Sequence, residues 1–192
     1  GQSSNHMSNL LVQNIKHTNG TTAQTVDTDG NVDFPVSFQI QQWQLLSSIS
    51  SNDTRITDWG ESTITSQTSA KAGSAMTVSS GQFSFPQTGL YRVIFNMMGG
   101  AGSGGQDSYI NVRMRVSIDS GSNYTIIKEL VHGAAANMAG GNYGDILVNV
   151  TNISTFRVDF VTASITGGSS VFGNSASSFA YSTATFEKLG KS

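Results

Sequence analysis

Apolar and polar residues alternate with period two along much of this chain. Over 109–118, Ile110, Val112, Met114, Val116 and Ile118 fall on one face, and Asn111, Arg113, Arg115 and Ser117 on the other. That is the pattern of a strand with one buried side. The Asp119-Ser-Gly-Ser-Asn123 turn predicts a return strand over 124–131. Residues 81–98 carry a second signal, with Phe83 and Phe85 alternating before Pro86 and Tyr91, Val93 and Phe95 after Gly89. Aromatics at period two around a Pro/Gly turn predict a hairpin. Further strands are expected over 37–46, 55–59, 75–78, 145–150, 155–161 and 178–189, with a Ser/Thr-rich, loop-like tract over 47–74. In 37–46, Phe38, Ile40 and Gln42 alternate with Gln39, Gln41 and Trp43, so each face carries something large. Nothing sustains a helical period. The expectation is all-β, a two-sheet antiparallel jelly-roll sandwich of about eight to ten strands.

The spacing Phe83, Gly89, Tyr91, Val93, Phe95 resembles the signature of complement C1q-like globular heads, relatives of the tumour-necrosis-factor fold. Val93 replaces an aromatic of that pattern, and Met76 stands where another aromatic or leucine is usual. The resemblance covers 36–189. Its last strand, Ser178-Phe-Ala-Tyr-Ser-Thr-Ala-Thr-Phe186, partly resembles the family's closing Phe-Ser-Gly-Phe strand. It implies a trimeric jelly-roll head that binds rather than catalyses.

Residues 7–35 differ in character. Asn9-Leu-Leu-Val-Gln-Asn-Ile15 is a short apolar element, and 18–34 reads as two short β segments around Asp29-Gly30-Asn31. Such a polar piece cannot build a core alone. Met7-Ser-Asn-Leu-Leu-Val-Gln-Asn-Ile-Lys-His-Thr-Asn-Gly20 resembles the opening of marine (cyanophage-type) bacteriophage tail and fibre proteins, in which three chains intertwine. Residues 1–6 read as a tag remnant, 7–35 as an attachment and trimerisation segment, and 36–190 as the head.

Composition narrows the function. Only 11% of the 192 residues are charged and the net charge is −2, which argues against nucleic acid or an anionic membrane as partner. Cysteine is absent, so disulfides and thiol chemistry are excluded. No run approaches a membrane span, and the polar start lacks the pattern of a signal peptide. The expected setting is a virion component made in the host cytoplasm and released by lysis.

Several motifs imitate chemistry. Gly100-Ala-Gly-Ser-Gly-Gly105 matches G-x-G-x-x-G, yet a dinucleotide site needs a helix after it, and a strand pattern follows instead. Asp27-Thr-Asp-Gly-Asn-Val-Asp33 spaces its oxygens like a calcium loop, but Gly30 is fourth and Phe38 twelfth, so a hairpin turn is the expectation. The three histidines, His6, His17 and His132, form no ligand motif. Neither metal nor cofactor nor catalysis is expected, although Asp58 and Glu61 could form part of a distant carboxylate pair. Arg92, Arg113, Arg115 and Arg157 read as an outward face paired with Asp119, Glu129 or Asp159, with a sulfated or carboxylated glycan as the alternative. Trp43 and Trp59 read as core or trimer-axis residues rather than sugar-stacking ones. The Asn-x-Ser/Thr sequons at Asn52, Asn123, Asn149 and Asn152 follow from composition.

Strand parity gives the candidate site. Counting from Leu90, the connections 99–107, 133–144 and 166–177 share one end and are rich in Gly, Ser, Asn and Ala. Those at the other end, 119–123 and 151–154, are tight. Binding groups concentrate on loops held by a rigid scaffold, so the candidate receptor-binding residues are Gln106, Asp107, Asn137, Met138, Asn142, Tyr143, Phe172 and Asn174. Tyr143 and Phe172 are the expected anchors. The sequence points to a phage tail-fibre or head-fibre knob, a homotrimer joined to other virion proteins through 7–35 and binding a host cell-surface glycan or protein. Alternatives are a capsid decoration protein, a secreted C1q-type ligand and a capsular depolymerase.

Overall fold

The computed structural model describes residues 14–16, 18–20, 22–26, 28–30, 32–33, 38–62, 70–175 and 178–191. The expectations for 1–13, His17, Asp27, Asn31, Pro35 and Val36 lie outside these residues. The chain divides into two units, Gly1–Val36 and Ser37–Ser192. In the first, β1 (Asn14–Lys16), β2 (Thr22–Val26) and β3 (Val32–Asp33) form an antiparallel meander. Its turns fall at Asn19-Gly20 and Asp29-Gly30, the dipeptides that suit tight hairpins. All of β1 is exposed.

The second unit holds β4 (Gln39–Leu45), β5 (Trp59–Glu61), β6 (Lys71–Ala72), β7 (Thr77–Ser79), β8 (Gln82–Ser84) and β9 (Gly89–Ala101). It continues with β10 (Asp107–Ser117), β11 (Thr125–Ala134), β12 (Ala139–Val150), β13 (Arg157–Ala163), β14 (Ser169–Val171) and β15 (Thr183–Gly190). One sheet runs β11-β10-β13-β8-β7 and the other β12-β9-β15-β4-β5, with β14 on β9 and β6 on β4. All the pairings are antiparallel. This is the expected two-sheet jelly-roll sandwich. Between the sheets Phe83, fully buried, touches Trp43, Trp59, Phe160 and Phe186 with ring centroids 4.7–5.9 Å apart. Burying one such ring contributes about 1.5–3 kcal/mol.

One expectation is corrected. Residues 81–98 are not a hairpin: β8 lies in the five-stranded sheet and β9 in the seven-stranded one, so Pro86–Gly89 is a corner between sheets. Phe83 and Phe85 still face inward, as do Tyr91, Val93 and Phe95. Alternation marks the buried face of each strand but not its partner. In β4, whose two faces the sequence left undecided, the inward face carries Gln39 and Gln41, each 1% exposed, beside Trp43 and Leu45. Gln39 Oε1 accepts from the Tyr91 hydroxyl (2.9 Å), and Gln41 Oε1 from the Met76 N–H (2.7 Å). Phe38 and Ile40 therefore point outward.

Candidate binding site at the loop end

Three connections meet at one end of the second unit: 102–106 between β9 and β10, 135–138 between β11 and β12, and 164–168 between β13 and β14. The Asn137 N–H donates to the Gly102 carbonyl (3.4 Å), and the Gln106 N–H to the Gly167 carbonyl (2.7 Å). They are shorter than the glycine-rich stretches suggested. Strand β9 runs on to Ala101, β12 starts at Ala139, and β14 occupies part of 166–177. The glycines belong to the ladder because neighbouring backbone leaves no room for a side chain. A Cβ on Gly100 would lie 2.1 Å from the Met138 carbonyl oxygen, and one on Gly141 2.6 Å from that of Met97.

Asp107 ties this end together. It is 7% exposed, and its carboxylate accepts from the N–H groups of Thr166 (3.1 Å) and Gly167 (2.7 Å). It also accepts from the hydroxyls of Thr166 (2.7 Å) and Ser169. Burial pushes its pKa up, but the donated hydrogen bonds outweigh that and hold it below the usual carboxylate range. The carboxylate is spent on the 164–168 turn.

The remaining expected site residues divide by location. Gln106, Asn137 and Met138 lie in the converging connections, with Met138 61% exposed. Asn142 and Tyr143 are corrected from loop to strand, being part of β12. Asn142 donates to the Val131 carbonyl (2.7 Å), and the Tyr143 hydroxyl accepts from Arg92 Nη2 (2.8 Å) on the outer face of the seven-stranded sheet. Phe172 and Asn174 follow β14. Phe172 stands 6.0 Å from the Tyr181 ring, and Asn174 donates to the Phe179 carbonyl (3.1 Å). The eight residues thus do not form one surface.

A register slip in β10 creates relief that alternation did not foretell. Asp107 pairs with Ala134 but Ile110 with His132, so three steps on β10 match two on β11, and the exposed Ser108 and Tyr109 bulge outward. On the β11 side of the bulge lies a depression of about 430 Å³ lined by Gln106, Ser108, His132, Ala135 and Met138, among others. On the β13 side lies another of about 300 Å³, walled by Tyr109, Ser164 and Thr166. Sequence reasoning missed Ser108, Tyr109 and His132. The available signal was an aromatic, Tyr109, on the polar face of β10 beside a glycine-rich connection.

No family model matches the chain, and no curated protein matches it in sequence. Solved structures do. Eiger TNF from S. frugiperda superposes with a TM-score of 0.58 at 12% identity, covering 81% of this chain and 95% of that one. Murine APRIL at pH 5.0 gives 0.53 at 9% identity, covering 79% and 99%. The second unit has a tumour-necrosis-factor-like fold. At such identity the likeness extends to architecture alone.

Within this tumour-necrosis-factor-like jelly roll the strand arginines are internally partnered. Asp159, fully buried, accepts from Arg55 Nε (2.6 Å) and from Arg115 Nε (2.8 Å) and Nη2 (2.6 Å). The Tyr124 ring lies 5.1 and 4.7 Å from the two guanidinium carbons. Arg113 pairs with Glu129 (2.9 Å) and Asp53 (3.2 Å), and Arg92 with Asp145 (2.5 Å). Arg157 donates to the carbonyls of Ile153, Ser154 and Phe156. Trp59 is buried and donates to the Ile56 carbonyl (2.9 Å). Among the described residues no three His, Asp or Glu side chains come together as a metal site.

Proposed function

We propose that this protein is a trimeric, non-catalytic recognition head of a bacteriophage virion. Its N-terminal segment joins it to other virion proteins, and the loop end of the jelly roll touches a host cell-surface glycan or protein. The observation that carries the reading is the reversed patterning of β4. Gln39 and Gln41 face the core, while Phe38, 55% exposed, and Ile40 face outward on the same side as Gln42. On the outer face of the same sheet lie Leu90, Ile94 and Met98 of β9 and Leu147 of β12, Leu147 being 55% exposed. A second apolar depression, about 430 Å³, runs along the β11–β12 side between Val116, Ile127, Ile146 and Phe156. On that face these apolar side chains alternate with the ion-paired Arg92, Asp145 and Glu187, the mixed character of a non-obligate interface. Copies that join the sheet face to the sandwich edge make a heterologous contact, which closes as a ring where the rotation between copies allows. The threefold number follows the C1q-like resemblance, and the virion setting follows the phage-like opening over 7–20. Both supports come from sequence. Synthesis in the host cytoplasm and release by lysis belong to the same reading.

Light scattering behind size exclusion tests the assembly, with an expected mass three times 20.3 kDa. A monomer at micromolar concentration overturns it. Immunogold labelling of intact virions and competition of phage adsorption by the purified protein test the setting and the recognition.

A further inference from the structure

We infer that the ligand of the loop end is an uncharged oligosaccharide, seated across the Ser108–Tyr109 bulge. This deepens the proposed recognition role and rests on it. The two depressions share Asp107 and Ser108, so they form adjoining lobes of one site on either side of the bulge. Their volumes, about 430 and 300 Å³, lie in the range of small-molecule sites. Each lobe has room for a sugar ring, and the chain of sugars would cross Ser108.

The chemistry of the walls selects the ligand class. Among the described residues Asp107 is the one carboxylate lining either lobe, and its oxygens are taken by Thr166, Gly167 and Ser169. No lysine or arginine among the described residues lines either lobe, so these walls do not reward a charged ligand. The lining is amphipathic: the Tyr109 ring, 48% exposed, stands on the outer face of the sheet, the Met138 thioether is 61% exposed, and the half-buried His132 imidazole lines the β11-side lobe from the inner face. Beside them stand the amide of Gln106 and the hydroxyls of Ser108 and Ser164. A pyranose matches that set, because it has an apolar C–H face for stacking and a rim of hydroxyls for neutral donors and acceptors. The imidazole is held in place by Gly140, where an added Cβ would lie 2.5 Å from His132 Cε1 and 2.6 Å from Nε2. The ring therefore rests against strand β12 and does not swing into solvent.

The methionines provide a readout that tolerates a large particle. Met138 borders the site, whereas Met76, Met97 and Met114 are 2%, 2% and 0% exposed in the core. The full chain, labelled with ¹³C at the methionine methyls, is titrated with neutral tetrasaccharides of glucose, galactose, mannose and N-acetylglucosamine, and with oligouronates and sialyl oligomers as charged counterparts. The expected result is a saturable shift of the Met138 methyl with at least one neutral probe, while the core methyls stay fixed. Tyr109→Ala should weaken that binding about tenfold, the worth of one stacked ring. Tyr109→Phe should keep it, and Ile153→Ala, 41% exposed in the tight connection at the opposite end, should not alter it. Thermal melts of each variant verify folding. A Met138 response to charged probes alone, to none, or to a neutral probe with Tyr109→Ala unaffected overturns the inference. If the protein still blocks phage adsorption in any of those cases, the recognition role stands and only the site or ligand class is wrong.

Discussion

Replacing Asp107 should cost far more than its place beside a surface loop suggests. In Asp107→Ala the Thr166 and Gly167 N–H groups lose their acceptor at a carboxylate that is 7% exposed. A buried donor left unsatisfied costs about 1–3 kcal/mol, and the two hydroxyls can turn to other partners. The expected loss is about 3–5 kcal/mol, or roughly 10 °C in midpoint for a chain of this size. Asp107→Asn keeps one oxygen but turns an amide toward the donors, so about 2 kcal/mol is expected. The pH dependence has a definite sign. The folded pKa lies below the ordinary value of 3.8, so the carboxylate stabilises the fold above that pH. The contribution is lost as pH falls through the depressed folded pKa. Urea unfolding at fixed protein concentration, repeated at pH 7 and pH 3, measures both effects, and amide exchange should show protection lost at Thr166 and Gly167 first. A stability loss under about 1 kcal/mol in Asp107→Ala would refute the clasp.

Phe83→Ala, which empties the contact point of four aromatic rings, should cost about 3–5 kcal/mol in chemical unfolding. Asp159→Ala leaves Arg55 and Arg115 facing each other without their shared carboxylate and should destabilise by about 3–5 kcal/mol, whereas Glu61→Gln at an exposed pair should change stability by under about 1 kcal/mol. Burial pushes the Tyr91 hydroxyl up to about 12 and also raises that of Tyr124, so ultraviolet titration should find these two tyrosines ionising later than the ordinary value. The neutral form of Tyr91 is favoured in the fold, so that stabilisation is complete below pH 10 and fades as pH rises toward 12.

The residues explain which features could be read in advance. Strand β10 was legible because Ile110, Val112, Met114 and Val116 fall on one face and the arginines on the other, whereas Ile118 lies past the strand's end and is exposed. The all-β sandwich followed from several such runs. Pairing was not legible in the same way. Phe83 and Tyr91 both face one core, and that holds for a hairpin and for a corner between sheets alike. The glycines at 99–100 and 140–141 read as loop because flexible connections and crowded ladders favour the same residue. Gln39 and Gln41 went inward against their polarity because the Tyr91 hydroxyl and the Met76 N–H needed acceptors there. At the site, parity brought the right connections together, while the bulge that exposes Tyr109 depends on a register that no single strand records.

The place of β15 bears on how the chain is made. It lies between β9 and β4, so β4 has no sheet partner on its inner side until residues near 183–190 exist. Gln42 waits for Thr185, 143 positions later, before their side chains can meet. During synthesis at about 5–20 residues per second, β4 would emerge from the ribosome several seconds before its neighbour. The backbone edge of β4 on that side stays unpaired for that interval. Nascent chains are then open to aggregation and to chaperone capture, and the sheet is completed only once β15 has emerged, at the millisecond-to-second pace of non-local β pairing.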